Sequence, residues 1–194
     1  MKKLLYLLTL VVMASCGMSQ KAEEIKQKEE LKELIDSAKL SKAGKTDLYL
    51  GFKFGMTEKE INRHMKKLER EGKADRDYRG AYTVKLIGEH GFEYNANVGV
   101  EYYMGKMRRL KFTTDNESDY VMICTAFLKA NKGNWVIVNG PLGNKEYIMQ
   151  IDNILCTFTG YIKTLVTFED APYIDLMKQE KDSIESARVD AYRM

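Results

Sequence analysis

The residue types that most often carry catalysis or hold metals are scarce in this chain. It has two histidines, His64 and His90, which are 26 residues apart. Neither lies in an H-x-x-x-H pattern or at zinc-ligand spacing from a cysteine. No G-x-S-x-G elbow marks a serine nucleophile. The sequence therefore predicts no catalytic residue, no metal and no cofactor. His64 is expected to be a partly buried packing residue on the apolar side of its helix, and His90 to be exposed in a turn.

The stretch GFKFGMT at 51–57 is the one segment that could cradle a phosphate. A phosphate loop needs four residues between its glycines and a Gly-Lys-Ser/Thr ending. Here three residues separate the glycines, and Met56 stands where lysine is needed. Thr57 and Glu60 instead have the T-x-x-E spacing of a capping box, and Met56 and Ile61 stand at the two positions of a hydrophobic staple. The stretch predicts the start of a helix.

The N-terminus, MKKLLYLLTLVVMASC, has the layout of an export signal covering residues 1–15. Its apolar run is too short to span a bilayer as a helix. The residues Met13-Ala14-Ser15-Cys16 resemble the bacterial lipobox. That resemblance implies that Cys16 is lipidated and becomes the mature N-terminus, and Gly17, in place of aspartate, implies the outer membrane. The alternative is an ordinary signal peptide that contains a cysteine.

Export would place the other two cysteines, Cys124 and Cys156, in an oxidising compartment. A disulfide between them can form there. The alternative is two buried free thiols, because cysteine behaves as a small apolar residue in protein cores.

The charge balance argues against a nucleic-acid partner. Without Lys2 and Lys3 of the export signal, the 31 basic residues fall to 29 against 28 acids, a net charge of +1. A dedicated nucleic-acid binder needs a strong basic excess. The membrane, through the lipid, and a protein or peptide are the partners that remain.

Residues 16–46 predict a lipidated cysteine followed by a charged helical tether. Leu31, Leu34, Ile35 and Ala38 recur at helical spacing and form a narrow apolar stripe. A free helix of this length would hold the domain about 30 Å from its anchor. The stripe could equally pack on the domain or on a partner.

Residues 47–172 predict an α+β domain built as a tandem α-β-β-β repeat, with halves at about 47–115 and 116–172. The resulting antiparallel sheet would carry its helices on one face. The predicted strands lie near 81–87, 91–103 and 107–114 in the first half, and near 134–139, 145–159 and 161–169 in the second. The segment at 105–112 resembles that at 160–168, and both fall on the last strand of their half. The long strand near 91–103 alternates, which indicates one buried and one wet face; its inward residues would be Phe92, Tyr94, Ala96, Val98, Val100 and Tyr102. Residues 173–194 predict a C-terminal helix.

By strand parity, four residues share the wet face of the sheet: Glu101, Tyr103, Arg109 and Lys111. Tyrosine and arginine are favoured in binding hot spots. This face is the predicted surface for a protein or peptide partner. The alternative is an ordinary solvated sheet surface.

Two resemblances bear on function. The lipobox and charged spacer look like those of small lipoproteins of Bacteroidetes. GFKFGMTEKEINRHMKKL, at 51–68, is similar to the opening of repeats in the beta-lactamase-inhibitor-protein-like fold, shared with the small SmpA/OmlA envelope lipoproteins. These families imply a non-enzymatic, protein-binding role in the envelope. An enzyme with a cleft not recognisable from sequence and a structural envelope lipoprotein are the alternatives.

Overall fold

A computed structural model describes residues 22–76, 81–114, 116–130, 135–139, 145–159 and 164–191. Four helices lie in these ranges: α1 at 22–40, α2 at Glu58–Arg70, α3 at Glu117–Ala130 and α4 at Ile174–Ala191. The eight strands are β1 Ala74–Arg76, β2 Tyr82–Ile87, β3 Glu93–Tyr103, β4 Lys106–Thr113, β5 Val136–Asn139, β6 Lys145–Ile151, β7 Ile154–Thr159 and β8 Thr164–Asp170.

The strands form one antiparallel sheet in the order β1-β2-β3-β4-β8-β7-β6-β5. Each half of the chain contributes four consecutive strands that pair with their sequence neighbours. The halves meet where β4 pairs with β8, the last strand of each half. The predicted α+β class and antiparallel sheet are confirmed.

Each half holds four strands and not the three that were predicted. Strand β1 has only three residues, too few for an alternating pattern. The single strand expected at 145–159 is two, since Ile151 pairs with Ile154 across a two-residue loop. Asp152 adopts a left-handed φ of 58° there, a conformation that Asp tolerates better than most residues. The Asp152-Asn153 pair between isoleucines was a hairpin signal that the prediction missed.

One face of the sheet, here called the inner face, carries the main core under α2 and α3. From α2, Ile61, Met65 and Leu68 are buried against it. From α3, Ile123 is buried in the same cluster, whereas the side chains of Cys124 and Phe127 lie outside the described set. The sheet supplies the floor of this core: Val84, Leu86, Ala96, Met107, Leu110, Phe112, Ile154, Cys156, Phe158, Val166 and Phe168.

The expected inward position of Phe92 is wrong. Strand β3 begins at Glu93, two residues later than predicted, and Phe92 is 64% exposed. It follows a short 3-10 turn, Glu89–Gly91, in which His90 and Gly91 both have positive φ. The turn breaks the strand geometry that would direct Phe92 inward, and the alternation holds from Tyr94 onward.

The expectation that the helices share one face is also wrong. Leu155, of opposite parity to Ile154 and Cys156, is buried on the outer face against Ala38 of α1 and Ala171. Ile174, at the start of α4, packs against the same cluster. Helix α1 therefore docks through its apolar stripe, so in residues 22–40 the stripe packs on the domain itself. An apolar residue on the wet face of β7 was the signal for this second layer.

The opening stretch folds as its residues predict. The Thr57 side chain accepts a hydrogen bond from the Glu60 amide at 3.3 Å, while the Thr57 amide donates to the Glu60 carboxylate at 2.8 Å. Met56 packs against the core cluster that contains Ile61. His64 is half-buried, with its Nε2 2.9 Å from the Leu50 carbonyl oxygen, so it is a packing histidine.

We expect Thr57→Ala to lower the free energy of unfolding by about 1 kcal/mol, because α2 loses its cap. Thr57→Ser, which keeps the hydroxyl, should stay close to the wild type. Urea denaturation followed by circular dichroism measures both. Equal losses in the two variants would show that the methyl group, and not the cap, is what stabilises this junction.

Within the described ranges, no helix has the length and apolarity needed to cross a membrane.

Candidate binding surfaces

Three of the four predicted binding residues meet in an ion-pair network on the outer face, here called the charge ladder. Glu101, Arg109 and Glu169 lie directly opposite one another on β3, β4 and β8. Arg109 donates to Glu169 at 2.6 Å and also pairs with Glu101. Lys111 pairs with Glu101 from the next outer position on β4. The charges therefore neutralise one another within the sheet and hold its central strands in register.

Opposing effects act on the ladder's pKa values. Burial raises the pKa of Glu101, but the hydrogen bond from Lys111 and the charges of Arg109 and Lys111 outweigh it, so the net pKa is lowered. Burial lowers the pKa of Arg109, but the carboxylates of Glu169 and Glu101 outweigh it and the net pKa is raised. Glu101 and Arg109 are therefore both charged at neutral pH.

The ladder gives a pH-dependent prediction. Because the folded-state pKa of Glu101 is lowered, its contribution is complete above the unfolded value of about 4.3 and is lost as pH falls through the folded value. We expect Glu101→Gln to cost about 0.5–1 kcal/mol at pH 7, as partly exposed ion pairs do. The difference from the wild type should shrink below about pH 4 in urea denaturation.

Glu93→Gln is the matched control on the same strand. Glu93 is exposed, and its nearest cation, Lys85, is 4.0 Å away. This variant should track the wild type at every pH. A gap for Glu101→Gln that stays constant down to pH 3 would contradict the assignment.

Tyr103, the fourth predicted residue, lies beside the 3-10 turn Ala171–Tyr173 that precedes α4, and not in the ladder. Its ring centroid is 6.0 Å from that of Tyr173. Arg108 also contacts Tyr173: its guanidinium carbon lies 3.5 Å from the Tyr173 ring centroid, a cation–π contact. Sequence reasoning missed Glu169 and Tyr173 because only the pairing of β4 with β8 brings them here.

A β-bulge turns Arg108 toward a buried polar network. Glu101 pairs with Arg109 and Tyr102 pairs with Met107, so Arg108 has no partner on β3; bulges commonly re-aim a side chain in this way. Arg108 donates to Asp170 at 2.8 Å. Their side chains are 18% and 6% exposed.

The Asn153 side chain completes this network and is itself buried. It donates to Asp170 at 3.0 Å and to the Lys45 carbonyl oxygen at 3.0 Å, and it accepts from the Lys45 amide at 2.6 Å. The β6-β7 turn, the end of β8 and the segment after α1 are thereby joined.

In the part of the chain that the structure describes, the outer face of β2–β4 is more exposed than that of β7. Thr83, Asn97 and Thr113 lie side by side on it across three strands, and Asn95 and Asn97 are exposed. We call this surface the open strip; it comprises Thr83, Lys85, Asn95, Asn97, Gly99 and Thr113 and ends at the charge ladder. Its hydroxyl, amide and ammonium groups offer donors and acceptors at regular spacing.

The inner face contains a cavity of about 460 Å³ between α3 and the sheet. Its lining comes from Leu86, Phe112, Phe158, Val166 and Phe168 of the sheet, from Ile123 and Ala126 of α3, and from Tyr49, Ile87 and Gly88. None of these described residues carries a charge.

Cys156 is a buried free thiol in the structure. Cys156 therefore matches the alternative given for it, a buried free thiol without a disulfide. In the structure Cys156 is not bridged, and the side chain of Cys124 lies outside the described set.

Burial raises the pKa of the Cys156 thiol well above its usual range, and the thiolate is the reactive form. In a chain that carries Cys124→Ser and lacks Cys16, we expect no alkylation by iodoacetamide at pH 8 in the native state and one label per chain after unfolding. Mass spectrometry counts the labels. Native labelling as fast as that of the unfolded chain would contradict burial.

Among the described residues, no three His, Cys, Asp or Glu side chains are grouped as metal ligands. The chain has no significant match among protein-family models, curated proteins or solved structures.

Proposed function

We propose that this chain is a lipid-anchored binding module of the bacterial outer membrane that holds a protein or peptide partner and catalyses no reaction. The observation that carries the proposal is the contrast across the outer face. Helix α1 and the start of α4 cover Leu155 on β7, while the open strip on β2–β4 stays accessible. A broad polar strip without a cleft suits a macromolecular partner better than a small molecule.

The charge ladder supports this role by keeping the strip rigid. Its members are held by one another, so a partner meets a surface that needs little ordering on binding. Asn95 and Asn97 project between these paired charges and the edge of the sheet. The partner we expect is polar, and its hydrogen bonds should go to amides and hydroxyls.

Lipidation of Cys16 would keep the domain close to the membrane. With α1 docked, only the chain from Cys16 to residue 22 links the lipid to folded structure, and that length reaches about 20 Å at most. Glu23, Glu24 and Gln27 face Ile137 and Lys145 across a shallow depression. The β5 edge would therefore lie nearest the anchor and the open strip farther away.

Site-specific photocrosslinking in intact cells tests the binding surface. A photoreactive amino acid at position 97, in place of Asn97, should give one discrete adduct, and mass spectrometry identifies the crosslinked partner. The purified partner should then bind the purified chain. Asn62, which is exposed on α2, is the matched control and should give none. The same adducts from both positions, or none from Asn97 at normal protein levels, would refute the strip as the binding site.

The anchor has its own test. Cells fed labelled palmitate should label the wild type and leave Cys16→Ser unlabelled, since that variant lacks the thiol that receives the lipid. Labelling that persists in Cys16→Ser would contradict the lipidation of Cys16. It would not bear on the proposed binding surface.

A further inference from the structure

We infer that the inner-face cavity is a binding site for one linear acyl chain, such as that of a long-chain fatty acid. This site lies on the opposite side of the sheet from the proposed partner surface and is independent of it. Its volume of about 460 Å³ falls within the range of natural ligand pockets, about 300–1,000 Å³. The described lining carries no charged group, so an apolar occupant is favoured.

The extent of the cavity indicates a linear occupant. Its lining runs from Leu86 on β2 through Phe112 on β4 and Phe168 on β8 to Phe158 on β7, and these strands follow one another with β3 in the sheet. Four inter-strand spacings cover about 19 Å. The lining therefore extends across five neighbouring strands, an extent that suits an extended polymethylene chain.

Water is a poor occupant of the same space. A buried water needs two to four polar partners, and Tyr49 is the one described lining residue with a polar side-chain group. The cavity reaches solvent beside Tyr49 and Ile87, which are 38% and 50% exposed. A single-chain amphiphile could enter there and leave its polar end in water, whereas a diacyl lipid would have to leave one chain outside.

Trp135, the single tryptophan of the chain, reports on occupancy. Its ring packs edge-on against Phe158, with centroids 5.7 Å apart, and Phe158 lines the cavity. Bromine atoms quench tryptophan fluorescence at short range. A dibrominated fatty acid in the cavity should therefore quench Trp135, and the unbrominated acid should restore the fluorescence.

The experiment uses the chain from residue 17 onward, which contains every element described above, purified without detergent. We expect saturable quenching by dibromostearic acid at one molecule per chain, below its micelle concentration, with displacement by oleic acid and by a lysophospholipid. Dioleoyl phospholipid vesicles should not compete. No saturable quenching, or competition by the diacyl lipid alone, would overturn the inference.

Two matched variants locate the site. Ala126→Phe fills the cavity from α3 and should weaken binding at least tenfold. Val121→Phe adds the same ring at an exposed position of the same helix and should stay within twofold of the wild type. If Ala126→Phe does not fold, Val166→Phe narrows the cavity from the sheet. Wild-type affinity in a folded filling variant would show that the lipid binds elsewhere.

Discussion

Asp170→Ala should lower the free energy of unfolding by about 3–5 kcal/mol, one of the two largest losses expected in this chain. The substitution leaves the largely buried guanidinium of Arg108, whose side chain is 18% exposed, without its carboxylate, and an uncompensated buried charge costs this much. It also removes one of the two acceptors of the Asn153 side chain. Urea denaturation at pH 7 measures the loss.

Asp175→Ala is the control for Asp170→Ala. Asp175 pairs with Lys39 at 2.6 Å, but its side chain is 64% exposed, and exposed pairs contribute about 0–1 kcal/mol. Asp170→Asn should fall between the two, because an amide keeps one acceptor and loses the charge. Equal, small losses for Asp170→Ala and Asp175→Ala would mean that Arg108 finds water or another partner.

Phe52→Ala should cost about 3–5 kcal/mol, the range for a fully buried phenylalanine. Phe52 has no exposed surface. Its ring lies edge-on to His64, with centroids 4.8 Å apart, and edge-on to Phe112 at 6.2 Å. The side chain therefore joins the segment before α2 to the helix and to the sheet, and its removal leaves a space that all three border.

Phe92→Ala is the matched control for Phe52→Ala. Phe92 is 64% exposed, so its truncation should change the free energy of unfolding by less than about 0.5 kcal/mol. Both variants are compared by urea denaturation. A loss below 1 kcal/mol for Phe52→Ala would show that the region before α2 does not belong to the cooperative core.

The features that sequence reasoning found rest on neighbours in the chain. Thr57 and Glu60 are three residues apart and cap the helix between themselves. Glu101 on β3 and Arg109 and Lys111 on β4 share the outer face, as strand parity predicts. Such contacts need no knowledge of the rest of the fold.

Other features escaped prediction although a local signal was present. The Asp152-Asn153 turn lies inside an otherwise continuous apolar run. That run led to the prediction of one strand at 145–159, although the two turn residues indicated a hairpin. Leu155 stands between Ile154 and Cys156, so strand parity places it on the opposite face of the sheet. Burial of an apolar residue on that face requires a second layer of helix, which α1 supplies.

By itself the sequence determined the α+β class, the antiparallel sheet, the helix start at Thr57 and the shared face of Glu101, Arg109 and Lys111. Only the tertiary structure decided that α1 docks on the outer face, that Glu169 completes the ladder, and that Arg108 reaches Asp170 through a bulge. The physical reason is distance along the chain. Caps, turns and strand parity depend on residues a few positions apart, whereas Arg108 and Asp170 are 62 residues apart and meet only through the pairing of β4 with β8.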